Sequence, residues 1–343
     1  MRRTNALGRR VCNTAMGLAL VLAFLAGPVA SAAPVSFKMN PHFLTLPPGA
    51  DKFGNAHGDI AIGPDGKIYI SIIDGAHPGI QVYDDKGHYL NNLPDAPTDL
   101  HGFIIAKAAD NNSYIFAVRL MGQEIIQMTL DGRVVLRIPA SAVPDTFKGK
   151  GWDGQLRLQM TNVVVAPNGD IYATDGYGAD FIHRFTKDGT YMNSFGGREA
   201  PWNFKTCHKM VIDTRYNPVR LDCTDRAHDR IVQMDLEGRV LGILQPDLRK
   251  PAAMAIYNNE LAVGELDGRV SILDRAGEIV ARIGDNSNLD ERGNNRTPPE
   301  KWLDDRFYSP HGIVYDSAGN LLVTEYSRWG RVIRLQRVAP RAK

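Results

Sequence analysis

The stretch TNVVVAPNGDIYATDGYGADFIHRFTKDGTYMNSFGG, Thr161–Gly197, alternates short apolar runs with turn signals. Val163–Val165 is apolar, and Pro167-Asn168-Gly169-Asp170 turns the chain into a second run at Ile171–Ala173. A polar loop, Asp175–Asp180, leads to Phe181–Phe185, and Lys187-Asp188-Gly189 turns into Tyr191–Phe195. Glycine and asparagine supply the positive φ that tight hairpins need. Strands this short, spaced by turns, predict an antiparallel meander of four strands.

The same grammar recurs on both sides. Aligned on the first strand and its turn, the copies open at HGDIAIG (His57), HGFIIAK (His101), TNVVVAP (Thr161), HKMVIDT (His208), PAAMAIY (Pro251) and HGIVYDS (His311). A third strand follows in each, and most add a fourth after a glycine-containing turn such as Lys86-Gly87 or Glu237-Gly238. The period, roughly 40–60 residues, is that of propeller blades. The expected fold is therefore all-β, a six-bladed β-propeller with blades starting near 57, 101, 161, 208, 251 and 311. An open β-sandwich would leave six copies unexplained. The last copy ends after its third strand, and Val35–Leu46 is a spare strand that can complete blade six and close the ring. Gly284–Ser309 is an insertion rich in Asn, Arg and Asp, with Pro298-Pro299 and Trp302. It is expected to fold over a channel mouth, because loops this long in compact domains usually carry function.

Met1–Ala32 reads as a signal peptide. Arg2, Arg3, Arg9 and Arg10 form a basic start, Ala15–Ala26 a short apolar core, and Ala30-Ser31-Ala32 a cleavage site. The apolar run is too short for a comfortable membrane span, so no stable membrane insertion is expected after cleavage. Residues 33–343 then form the propeller, exported to the periplasm or secreted. The net charge of +2 and the lack of a basic stripe speak against nucleic acid. Cys207 and Cys223 lie on consecutive strands of one hairpin. Outside the cytoplasm they can form a disulfide; two packed thiols are the alternative.

The aligned first position is histidine in four of six copies: His57, His101, His208 and His311. With nine histidines in 343 residues, chance would give about 0.2. This position starts the innermost strand, where a side chain can face the channel. Blades two, four and six stand about 120° apart in a six-fold ring. His101, His208 and His311 would then converge as a trigonal trio, the usual ligand set of a catalytic zinc with an open fourth position. His57, between blades six and two, would be a fourth ligand or would hold substrate or water. Neutral imidazole also suits other divalent transition metals, with zinc the default. The bland alternative is a channel lined by histidines bonded to water and carbonyls. His42, His77, His88, His183 and His228 read as structural or solvated.

Tyr177 and Arg226 follow the second strands of copies three and four, on the face where inner strands begin. A tyrosine beside a cation has its phenolate favoured and can act as a base. An arginine there can hold a carboxylate. Alone, each reads more simply as a packing tyrosine and as an arginine paired with Asp225 or Asp229.

ATDGYGADFIHRF (Ala173–Phe185), CTDRAHDRIVQM (Cys223–Met234) and the openings LHGF, CHKM and PHGI resemble NHL repeats as arranged in the peptidyl-α-hydroxyglycine α-amidating lyases. The resemblance covers most of residues 33–343. It implies a six-bladed propeller with a central zinc on His101, His208 and His311, Tyr177 as catalytic base and Arg226 at the substrate. The reaction implied is cleavage of a carbinolamide C–N bond to an amide and glyoxylate. Four features depart from the family, one being Gly178, where the family has a cysteine next to the catalytic tyrosine. Lys67–Ile80 has no arginine where the family has a catalytic one. Gly312 follows His311 where the family has an aspartate that helps bind calcium, so calcium is not expected. His57 is additional. The substrate would be a small molecule or a peptide. Metal-dependent hydrolysis of a small molecule, or a non-enzymatic propeller that recruits a protein partner, also suits the same scaffold.

Overall fold

The computed structural model describes residues 35–151 and 153–338. The signal-peptide reading of Met1–Ala32 lies outside the described residues. The chain folds as a six-bladed, all-β propeller. Six four-stranded antiparallel sheets follow one another in sequence order. Their inner strands are Ile60–Ile62, Leu100–Lys107, Asn162–Val165, Cys207–Asp213, Pro251–Tyr257 and Pro310–Tyr315. Each inner strand touches the next, and that of blade six returns to blade one. Among the described residues no helix is long and apolar enough to cross a membrane.

Blade three shows why the sequence turns where it does. Its strands are Asn162–Val165, Ile171–Thr174, Phe181–Phe185 and Tyr191–Gly196. Gly169 and Gly189 sit in the connecting turns with φ of 90° and 85°. The blade's apolar faces pack on both neighbours. Val163, Ile171, Ala173 and Phe185 join Phe116, Val118 and Ile125 of blade two. Val164, Tyr172, Ile182 and Phe195 join Met210, Leu221 and Val232 of blade four. A blade therefore buries both faces only when it has neighbours on both sides.

In blade six the outer strand is Ser36–Asn40, paired with Arg331–Val338 from Ser36 opposite Val338 to Asn40 opposite Arg334. The pairing is shorter than the Val35–Leu46 run, and His42 lies in the turn beyond it. Cys207 and Cys223 are joined as a disulfide between the first two strands of blade four. They are not directly opposite: Cys207 faces Asp225, and Cys223 faces Met210. A shift of register between Cys207 and Met210 brings the two sulfurs together.

The insertion 284–309 contains one short 3-10 turn, Pro299–Lys301. It packs against the loops after the second strands of blades five and six, with the Asn286 N–H donating to Gly268 O at 2.9 Å. The Arg328 N–H donates to Asn295 O, and Arg331 Nη2 donates to Leu303 O at 2.6 Å. It thus lies beside the Leu266–Gly268 and Tyr326–Gly330 loops, on the face where the inner strands begin.

Candidate functional site

The inner strands of blades two, four and six each carry a break in register at their first residues. His101, His208 and His311 sit in these breaks. A bulge re-aims a side chain relative to the regular pleat, and here it turns three imidazoles into the channel. A hydroxyl from the adjacent strand steadies two of the breaks. Thr224 Oγ1 accepts the Lys209 N–H at 2.9 Å, and Thr324 Oγ1 accepts the Gly312 N–H at 3.0 Å. At Gly312 a Cβ would lie 2.6 Å from Thr324 Oγ1, so a larger residue there needs a local shift.

The three imidazoles form a near-equilateral triangle. Ring centroids are 5.1 Å apart for His101–His208, 5.1 Å for His101–His311 and 5.0 Å for His208–His311. The rings stand at 77°, 80° and 85° to one another. All three are buried. Each Nδ1 donates to a carbonyl at or just before the inner strand of the next blade: His101 to Thr161 O (2.8 Å), His208 to Ala252 O (2.8 Å) and His311 to Gly58 O (3.0 Å). A carbonyl can only accept, so Nδ1 carries the proton and Nε2 presents its lone pair. Burial holds all three well below the usual histidine range, which keeps them neutral.

His57 joins them from blade one. Its ring lies 4.8 Å from His101 and 4.7 Å from His311. Among the described residues the nitrogens that lie within 4.8 Å of one another are those of His57, His101 and His311, a set that includes His57 and leaves out His208. Burial, then the charge of Arg226, pushes His57 down to about 4.

Tyr177 meets this cluster from the loop of blade three. Its Oη lies 3.1 Å from Nε2 of His101, 3.1 Å from Nε2 of His208 and 3.4 Å from Nε2 of His57. Arg226 Nη1 donates to the same oxygen at 3.2 Å, and its guanidinium lies 5.2 Å from the Tyr177 ring centre. Arg226 does not pair with Asp225, whose carboxylate is taken by Arg230 and His228 at 2.7 and 2.9 Å. Burial pushes the Tyr177 phenol up, and Arg226 pulls it the other way. The lowered phenol expected beside a cation is thus not produced by the protein's own charges.

The donor set fits a divalent cation. One phenolic hydroxyl can give its proton to one imidazole only, yet several lone pairs converge on it. His311 Nε2 is buried with no hydrogen-bond partner at all. Buried polar atoms left unpaired are costly. A cation accepted by the Nε2 atoms would remove that cost, and neutral imidazoles fixed by carbonyls are suitable ligands.

All six residues singled out from sequence, His57, His101, His208, His311, Tyr177 and Arg226, therefore meet in one cluster. Two further groups were not anticipated. Tyr326 stacks on His57 with centroids 4.1 Å apart. It follows Glu325 as Arg226 follows Asp225, so the shared register was the available signal. Lys209 takes the place of the glycine that follows His57, His101 and His311. It is buried and ion-paired with Asp59 of blade one, on the far side of the ring. Past this pair the inner strands of all six blades line a cavity of about 290 Å³ walled by residues such as Ile60, Phe103, Val164, Met210, Met254 and Ile313. The remaining histidines lie apart from the cluster: His183 on a third strand bonded to Ser194, His88 to Asp84, His228 to Asp225, His77 to Pro48 O and His42 beside Asp304.

No protein-family model and no curated protein matches the sequence. Solved structures match its fold. A streptogramin B lyase aligns with TM-score 0.56 at 15% identity, over 88% of this chain and 98% of its own. The virginiamycin B lyase from Staphylococcus aureus with quinupristin, a catalytically inactive variant, gives 0.56 at 16%, over 88% and 100%. A gluconolactonase from Xanthomonas campestris gives 0.58 at 14%, over 90% and 99%. At such identities the likeness is one of fold. The chain is built on the six-bladed propeller architecture that lyases and a lactonase also use.

Proposed function

We propose that the protein is an exported, metal-dependent lyase that cleaves a carbinolamide-type C–N bond. The observation that carries this is the position of Tyr177 Oη, in contact with two Nε2 atoms of the histidine trio and with Arg226. His101, His208 and His311 would hold the cation, zinc by default, with His57 beside them. When bound, the metal supplies Lewis acidity that makes a substrate hydroxyl easier to deprotonate.

The chain's own groups account for the rest. Tyr177 takes the proton from the hydroxyl of an N-acyl-α-hydroxyglycine. The oxygen's electron pair forms the C=O bond as the C–N bond breaks. The proton passes from Tyr177 to the leaving amide nitrogen. The products are an amide and glyoxylate, and atoms and charge balance. Arg226 stands where it can pair with the substrate carboxylate and favour the phenolate. The wall of Tyr326 and His57 gives an aromatic face for the acyl group. Export is supported by the leader sequence and by the Cys207–Cys223 disulfide, a bond that persists in oxidising compartments.

The test is metal analysis followed by turnover. Purified protein should carry about one zinc per chain and release glyoxylate from N-benzoyl-α-hydroxyglycine. Native protein free of metal, or metal-loaded protein that releases none, would end this reading.

A further inference from the structure

Each second strand ends at a corner beside the channel mouth, opposite the first residue of the third strand. In four blades this corner is an ion pair. Asp225 meets Arg230, Glu265 meets Arg269 and Glu325 meets Arg331, at 2.7, 2.7 and 3.0 Å. In blade two the pair is reversed, Arg119 with Glu124 at 2.7 Å. Blade one has apolar Ile72 opposite Gly79. Blade three differs from all of these. Asp175 is fully buried, and the residue across from it is Phe181, whose carbonyl accepts the Asp175 N–H.

The unpaired carboxylate belongs to the blade that carries Tyr177. Its Oδ2 accepts the Ala179 N–H at 2.7 Å, and its Oδ1 accepts the Gln159 N–H. Gln159 O in turn accepts the Tyr177 N–H at 3.2 Å. The Asp175 backbone carbonyl accepts from Gly178 and Asp180 at 2.9 and 3.0 Å. One aspartate thus ties both sides of the loop that presents the phenol. The charged groups facing it are Asp180, a like charge, and Arg198, which is engaged by Asp180 at 2.9 Å.

We infer that Asp175 is the positioning residue for Tyr177, and that its charge state governs how firmly the 175–180 loop is closed. Burial, opposed by the two N–H donors, pushes this carboxyl up to about 7. A closed loop then binds a proton that an open, solvated loop releases. By linkage the closed loop is most stable at acid pH, and this advantage is lost as pH rises through about 7. The consequence for turnover rests on reading Tyr177 as the base; the behaviour of the loop does not.

Hydrogen exchange of the 159–180 amides, corrected for intrinsic rate, tests this on the full metal-loaded protein. In the wild type the opening constant should rise by about tenfold per pH unit from pH 5 to 7 and level off above. In Asp175→Asn it should stay flat. Phe181→Arg, which supplies the arginine seen in blades four to six, should also flatten it. Wild-type exchange that runs parallel to either variant across this range would overturn the inference. Loss of glyoxylate release with the exchange profile intact would overturn the lyase reading instead. If both readings hold, Asp175→Asn lowers kcat while zinc content stays at the wild-type level.

Discussion

Replacing Lys209 by methionine removes a buried ammonium of similar length and leaves Asp59 alone. The two residues are 6% and 3% exposed, so neither charge is solvated in the fold. After the change the Asp59 carboxylate keeps the Ile60 N–H at 3.0 Å as its donor. Breaking one side of a buried pair typically costs about 3–5 kcal/mol, because a charge is left uncompensated. Removing both charges, as Asp59→Asn with Lys209→Met, avoids that penalty and is often close to neutral. The cycle should therefore be strongly non-additive, with the double variant about 3 kcal/mol or more better than the sum of the singles. Urea unfolding of chelator-treated wild type, both single variants and the double variant measures it, with equal m-values required. Additivity within about 0.5 kcal/mol would refute the reasoning. It would mean that Lys209 and Asp59 do not share one buried site in solution.

Four further outcomes follow from the geometry. His208→Ala should lose bound metal while keeping the strand content of the propeller by circular dichroism; full retention of metal would remove His208 from the ligand set. Tyr177→Phe should keep metal and lose about 10²–10⁴ in turnover, the usual worth of a general base; unchanged turnover would exclude the phenol. Reducing the Cys207–Cys223 bond, which spans 16 residues, should lower stability by about 3 kcal/mol in denaturant titrations with and without reductant. The Asp175 carboxyl, raised from 3.8 to about 7, makes stability fall as pH rises from about 4 to 7. That single contribution is worth at most about 4 kcal/mol, and Asp175→Asn should remove it from the pH profile of thermal unfolding.

The propeller was legible because its turns are local. Asn168-Gly169 and Asp188-Gly189 punctuate the meander within a few residues, and the repeat multiplies a weak signal by six. The histidines were legible for the same reason: a shared position in aligned copies shows which residues will meet. What the alignment could not convey was side-chain direction. That depends on the breaks of register at Cys207–Met210 and Pro310–Gly312, which arise from pairing with a neighbouring strand. Tyr326 follows a second strand as Tyr177 and Arg226 do, but its place against His57 comes from the packing of blade six on blade one. The pairing of Lys209 with Asp59 joins positions 150 residues apart and has no local signature. The path of 284–309 likewise depends on Gly268 of blade five and on Arg328 and Arg331 of blade six, which come from either side of it in the chain.

The carbonyls that orient the histidines have a kinetic consequence. His311 is bonded to Gly58 across 253 residues, His101 to Thr161 across 60 and His208 to Ala252 across 44. No contiguous fragment that stops short of Gly58 or of His311 contains a finished set. The last of these bonds can form only when the C-terminal strands have returned to the first blade, a late event for contacts of such high order. On the proposed reading, tight metal capture would be a property of the completed circle. A nascent or proteolytically nicked chain would remain a poor chelator, and metal uptake during refolding would time the moment at which the two ends of the protein meet.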